Sequence, residues 1–358
     1  MMLTPEQFAQ EQKAGMPPVV EGVSLEDQVI ILTGANTGIG YEAAKHFAHR
    51  KPHKLILVCR NELKGRDTLQ TAWCLGLKTE TGFQNVEAWA VDFSSFDSVK
   101  AVETKIAKLE RLDILVENAG VAMYDYEVTK DGWETSLQVN VLSCAMHIIL
   151  HLPKMLQTAK EHPGTVPRIV VVSSDTHYWG KISAEAMNAP STLRSLSDHN
   201  PAQFTADKMY PETKSNEYLP LPPDRYSVYP VLSTMFIRTL QSHLPTITCC
   251  AVNPGFCHSG LTRHAPEAVA ERFRKEKELL AYTPEEGSRQ LIYAAIGQRE
   301  REEELRASYV SFSRVSECSD FILGNEGRAL ERKLWEEVTK VVSGADENTR
   351  DIVGRYLS

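Results

Sequence analysis

The segment DKMYPETKSNEYLPLPPDRYSVYPVLSTMFIRTL, from Asp207 to Leu240, offers two tyrosines for one chemical task. A phenol titrates near pH ~10, so proton transfer at neutrality needs a neighbouring cation that lowers it by several units. A lysine four residues later, one helical turn on, supplies that charge. Tyr210 has this partner in Lys214, whereas Tyr226 has Pro230 at the equivalent step. Tyr41 with Lys45 and Tyr126 with Lys130 repeat the spacing, so position in the fold has to select among them.

A second stretch points to a nucleotide. Thr33-Gly34-Ala35-Asn36-Thr37-Gly38-Ile39-Gly40 follows the apolar run QVIILTG and opens the helical segment YEAAKHFAHR. Glycines let a backbone turn tightly and approach a pyrophosphate, while a helix amino terminus presents free N–H groups and partial positive charge. Gly34, Asn36, Thr37, Gly38, Ile39 and Gly40 are therefore candidate cofactor contacts. The next apolar run ends Val58-Cys59-Arg60, where an NAD site would carry an acid for the ribose 2′-hydroxyl. With no acid there and Arg60 available to a 2′-phosphate, NADP is expected over NAD.

Such groups need a frame. QVIILTG, KLILVCR, VEAWAVD, LDILVEN, RIVVVSS, ITCCAVN and ASYVSF are short apolar runs separated by helical segments. Strands apolar on both faces and alternating with helices predict a doubly wound α/β fold of Rossmann type, a parallel sheet of about seven strands in one domain. Ligands then bind beyond the carboxyl ends of the strands. The chain has 358 residues, 42% hydrophobic and 24% charged, with a net charge of −8. No basic stripe suggests nucleic acid, and no membrane span is expected. Seven scattered cysteines without a C-x-x-C pair argue against a disulfide framework or zinc site and for a reducing, cytoplasmic setting. His147 and His151 lie four apart but have no evident third ligand, so they are read as helix histidines beside an apolar stripe. Thr4-Pro5-Glu6-Gln7 reads as a capped start of a surface helix, and LERKLWEEVTKVVSG as a terminal amphipathic helix ending at Gly344.

The glycine pattern T-G-x-x-x-G-x-G, with Val91-Asp92-Phe93, Glu117-Asn118-Ala119-Gly120 and Asn253-Pro254-Gly255, resembles the short-chain dehydrogenase/reductase family over roughly Asp27 to Ser313. HYWGK and NPGFC look most like fungal, retinol-dehydrogenase-like members. The resemblance implies an adenine contact at Asp92, turn residues at Asn118 and Gly120, and nicotinamide-side contacts at Pro254, Gly255 and Ser259. Glu117 and Ser259 replace the family's more usual Asn and Thr.

The resemblance also implies a substrate-orienting serine at Ser174, a helix asparagine holding a water on the proton path at Asn140, and a tyrosine–lysine pair. Counting back along the helix VLSTMFIRTLQSHL in the family register reaches Asp224-Arg225-Tyr226, with Pro230 in the lysine position and tolerated as a first-turn proline. The rival pair is Tyr210 with Lys214, which requires a loop inserted within the helix. The implied layout is an extension over 1–26, a core over 27–313 with an insertion at about 177–230, and a helical extension over 314–358. The implied activity is NADP(H)-dependent interconversion of hydroxyl and carbonyl on a hydrophobic small-molecule substrate, in keeping with secondary metabolism. A cofactor-binding protein that has lost redox catalysis is the alternative, and a homodimer is left open.

Overall fold

Seven apolar runs form strands; six of them bury nearly every residue between helices, whereas the edge run VEAWA buries Trp89 alone. The structure is a computed structural model that describes residues 3–60, 66–180, 182–198 and 224–358; the side chains of residues 5, 66–72 and 224–226 also lie outside the description. The strands are β1 (Val29–Thr33), β2 (Lys54–Cys59), β3 (Val86–Ala90), β4 (Ile114–Glu117), β5 (Arg168–Val172), β6 (Thr248–Val252), β7 (Ser308–Ser311) and β8 (Arg314–Ser316). They form one sheet in the order β3-β2-β1-β4-β5-β6-β7-β8. The first seven are parallel, as expected, and β8 pairs antiparallel with β7.

Strand β8 is an addition to the seven predicted. Phe312 and Ser313 make its two-residue turn at φ 53° and 52°, a left-handed pair that hairpins usually fill with Asn or Gly. Neither residue type signals that turn. The order reverses between β1 and β4, which places a binding crevice above their carboxyl ends.

Alternate residues of each strand feed two cores. Val29, Ile31, Ile56, Val58 and Leu115 face one side, packed beneath helices Ser143–Glu161, Asp224–His243 and Asn325–Ala345. Ile30, Leu32, Leu55, Leu57 and Ile114 face the other, beneath helices Gly38–His49 and Pro284–Ile296. The helical stretch Thr135–Glu161 is long and apolar enough to span a bilayer, contrary to the reading of the sequence, but 78% of its apolar window is buried inside the protein. It is a core helix.

Three further expectations change. The helix containing LERKLWEEVTKVVSG is not terminal: it runs Asn325–Ala345 through Gly344, and a last helix, Glu347–Tyr356, folds back after it. The amino-terminal helix Pro5–Ala14 has the expected Thr4/Gln7 capping box, yet it is no ordinary surface helix, because Leu3, Phe8 and Gln12 are buried. Pro230 lies seven residues into helix Asp224–His243, in its second turn rather than its first, where it removes one i→i−4 hydrogen bond. All seven cysteines are thiols outside any disulfide.

Candidate active site

The tips of β1, β2, β4, β5 and β6 open on one cavity of about 900 Å³. At its floor, the turn after β1 depends on two glycines. Gly34 has φ 64°, and a Cβ there would lie 2.9 Å from Asn118 Nδ2. A Cβ on Gly40 would come within 2.2 Å of the Gly34 carbonyl oxygen, so the helix can start this close to the strand only with glycine at both places. Gly38, at φ 57°, begins helix Gly38–His49 with open space around it. Its N-cap Thr37 makes no side-chain cap hydrogen bond, which leaves first-turn amides available to a phosphate. These features fit a dinucleotide. Gly34, Asn36, Thr37, Gly38, Ile39 and Gly40 all line the cavity.

Asn118 and Thr33 hold that floor in register. The Asn118 side-chain amide donates to the carbonyls of Thr33 (3.0 Å) and Gly34 (3.2 Å), and Thr33 Oγ1 accepts from the N–H groups of Asn118 and Ala119. Arg60 is exposed and lines the cavity beyond β2. Cys59 before it is buried, and burial pushes its thiol up to about 12. Asp92 lines the wall after β3, where its carboxylate accepts from the Ser94 amide and hydroxyl. The short helix Phe96–Lys100 that follows is capped by Ser95, which leaves the Asp92 carboxylate facing the cavity wall. Gly120, Pro254, Gly255 and Ser259 line the same space.

Ser174 and Asn140 meet this cavity from β5 and from the helix crossing beneath it. Ser174 Oγ caps the short 3₁₀ turn Asp175–Tyr178, accepting from the Thr176 amide at 3.2 Å. Asn140 sits in a π-helical turn, Gln138–Leu142, the kind of irregularity that concentrates at functional sites. Its amide grips the Val121 backbone at both N–H and carbonyl (2.9 and 2.8 Å), and Ser233 Oγ approaches its main-chain carbonyl at 3.5 Å. Tyr226 lies on the first turn of helix Asp224–His243, and its side chain is outside the described residues, as are Tyr210 and Lys214 entirely. Pro230 is described: it lines the cavity, buried, and its carbonyl accepts from Ser173 Oγ. A position that would carry the activating cation in the Tyr226 register therefore presents none.

Several residues at or beside the cavity, most of them polar, went unnoticed in the sequence. Tyr229, one turn after Tyr226, donates its phenol to Glu134 at 2.7 Å; Glu134 also receives the Ser136 and Leu137 amides. His177 Nδ1 donates to the Ser174 carbonyl, and its Nε2 accepts from the Ser319 amide. That arrangement requires neutral imidazole, and burial holds its pKa down at about 4. Asp175 is buried, accepts from the Tyr309 phenol at 2.7 Å and is raised to about 6, mainly by burial. On helix Glu267–Leu280, Phe273 and Lys277 line the cavity one turn apart. Lys277 donates to the Ser259 carbonyl and Thr262 Oγ1, and burial lowers its pKa. Tyr124, Phe256, Leu261 and Phe273 form an apolar cluster at this end.

His147 and His151 fall inside the core, not at a metal centre. His147 Nδ1 bonds Glu117 and His151 Nδ1 bonds the His147 carbonyl, and no His, Cys, Asp and Glu cluster among the described residues could hold a metal.

Comparisons with known proteins agree with this geometry. Residues 28–185 match the family model for short chain dehydrogenase. The chain is 31% identical over 322 residues to the short chain dehydrogenase/reductase dmxR8 of Cryptosporiopsis sp., covering 87% of this chain and 90% of that one. It is 33% identical over 281 residues to the short chain dehydrogenase atnD of Emericella nidulans, covering 76% and 81%. Among solved structures, a protein from Mycobacterium paratuberculosis superposes with a TM-score of 0.58 at 20% identity, over 92% of this chain and 96% of that one. The strand order, the glycine turn and these relatives lead to one assignment: the chain belongs to the short-chain dehydrogenase family.

Proposed function

We propose that the protein is an NADP(H)-dependent oxidoreductase that interconverts a hydroxyl and a carbonyl on a lipophilic small molecule. The observation that carries this reading is a single cavity joining a phosphate-sized glycine turn, Arg60 and Ser174 to an apolar end built by Tyr124, Phe256 and Phe273. A nicotinamide cofactor supplies the hydride when bound. Gly34 to Gly40 hold its phosphates, Arg60 its 2′-phosphate, and Pro254, Gly255 and Ser259 border its reactive end. Ser174 fixes the substrate oxygen by hydrogen bonding, and the phenol of Tyr226 donates the proton during reduction. The fungal relatives are in keeping with a role in secondary metabolism.

Pro230 favours a second reading beside the first. Without a lysine at this step no cation promotes loss of the phenolic proton from that position, which suits the phenol to donate a proton rather than accept one. A protein that binds the cofactor without turning it over has the same features. Titrating NADPH by fluorescence and then following its oxidation with a panel of apolar ketones tests both. Binding with turnover supports the oxidoreductase, binding without turnover supports the second reading, and no binding of either nicotinamide dinucleotide rejects both.

A further inference from the structure

The two segments that follow Ser174 and Pro254 carry the side chains nearest the reacting end, and a third element holds them together. Trp179 ends the 3₁₀ turn after Ser174, and its indole N–H donates to the Leu3 carbonyl at 2.7 Å. Phe8 packs edge-on against the Trp179 ring, with centroids 5.7 Å apart. Both rings line the cavity. A phenylalanine that is 6% exposed on a helix whose other residues are largely polar marks the face turned inward.

One turn later Gln12 reaches the other segment. Its Oε1 accepts from the Phe256 amide at 3.1 Å, while Nε2 donates to the carbonyls of Phe256 (3.0 Å) and Leu280 (2.8 Å). Three hydrogen bonds in a site where Gln12 is 4% exposed make this amide costly to replace by an apolar group, since the Phe256 backbone would lose its partners. Gly255, at φ 80°, has no room beside it: a Cβ would lie 3.1 Å from Gln12 Oε1 and 2.9 Å from the Tyr282 ring. Tyr282 in turn donates its hydroxyl to the Glu11 carbonyl at 2.9 Å.

We infer that the Pro5–Ala14 helix is the wall that selects substrates by size, with Phe8 touching the substrate and Gln12 acting as a positioning residue that fixes the Gly255–Phe256 turn. The inference rests on the oxidoreductase reading for the identity of the ligand, an apolar ketone or alcohol. Rigid walls discriminate by bulk because each excluded or added methylene changes the contact energy. Phe8 is removable without touching the glycine turn or Ser174, so it separates substrate fit from cofactor binding.

The test measures Phe8→Ala, Phe8→Leu, Gln12→Leu and Gln12→Glu for NADPH affinity, for kcat and KM with cyclohexanone and a bicyclic aryl ketone, and for binding of both ketones to the NADPH complex by calorimetry. Phe8→Ala is expected to shift the preference toward the bicyclic ketone by about tenfold or more, with the change carried mainly by KM and with NADPH affinity within twofold. Phe8→Leu, which keeps the position apolar, is expected to give a smaller shift in the same direction. Gln12→Leu is expected to raise KM for both ketones, with partial rescue in Gln12→Glu, which retains the acceptor for the Phe256 amide. Should both Phe8 variants fold and rank the ketones as the wild type does, the wall is wrong; absence of ketone binding in every variant overturns it equally. A shifted ranking in calorimetry without turnover sinks the oxidoreductase reading and leaves the wall standing.

Discussion

His147 Nδ1 lies 2.5 Å from Glu117 Oε1, and both side chains are almost fully buried beneath the cavity floor. Glu117 also accepts from Thr33 Oγ1 at 3.1 Å, so the acid that replaces the family's usual asparagine has two fixed donors. The pair explains its own oddity: histidine and glutamate each satisfy a group that the other would leave stranded.

The first prediction follows from that reciprocity. Glu117→Asn restores the usual family residue, but a shorter amide leaves the buried His147 Nδ1 without its partner. It is expected to lower stability by about 1–3 kcal/mol, and His147→Ala by at least as much, because it leaves Glu117 with Thr33 as its remaining side-chain donor and opens a cavity in the core. Urea unfolding monitored by circular dichroism measures both. A Glu117→Asn protein as stable as the wild type would contradict the pairing.

Pro230 gives a second. Pro230→Lys returns both an amide N–H to the helix and a cation to the cavity wall. Reduction of apolar ketones is expected to rise by at least tenfold in kcat, with the gain larger for alcohol oxidation, which needs the phenolate. Adding Tyr226→Phe to Pro230→Lys is expected to abolish the gain; steady-state kinetics in both directions decide it.

A third concerns the nucleotide. Arg60→Ala removes the cation assigned to the 2′-phosphate and is expected to weaken NADPH binding about 10–100-fold, the worth of a charged hydrogen bond of ~1.5–3 kcal/mol. NADH binding should change little. Equal losses for both would assign Arg60 to another role.

Asp175 supplies a prediction in pH. Its folded-state pKa, about 6, lies above the ordinary value of 3.8, so the folded protein binds the extra proton between those values and loses stability as pH rises through about 6. The groups that face it are the Tyr309 phenol, the Asn253 amide and, more distantly, Glu11. Asp175→Asn keeps an acceptor for Tyr309 and removes the charge. Its melting temperature should exceed that of the wild type at pH 8 and approach it below pH 4.

Much of this was legible in the sequence because it depends on pattern. The seven parallel strands follow from alternating apolar runs and helices, and the glycine turn from spacing that only close backbone approach demands. What escaped was written in single side chains acting at long range. Gln12 reaches Phe256 across 244 positions, His177 reaches Ser319 across 142, and no periodicity announces either. Strand β8 escaped because Phe312 and Ser313 carry none of the turn chemistry that hairpins ordinarily require. The choice between Tyr226 and Tyr210 turns on side chains outside the described residues, while Pro230 was read correctly as a residue without charge and wrongly as one in a first turn.

The last two helices have a consequence for assembly. Trp335 stacks on Phe236 and His243, Arg238 pairs with Glu331, and the Glu347–Tyr356 helix packs on Ser143–Glu161. The polypeptide's own last two helices thus cover the outer faces of Ser143–Glu161 and Asp224–His243. A second copy docking on those helices would have to displace covalently tethered neighbours, a competition that local concentration decides against it, so light scattering at micromolar concentration should find one chain per particle.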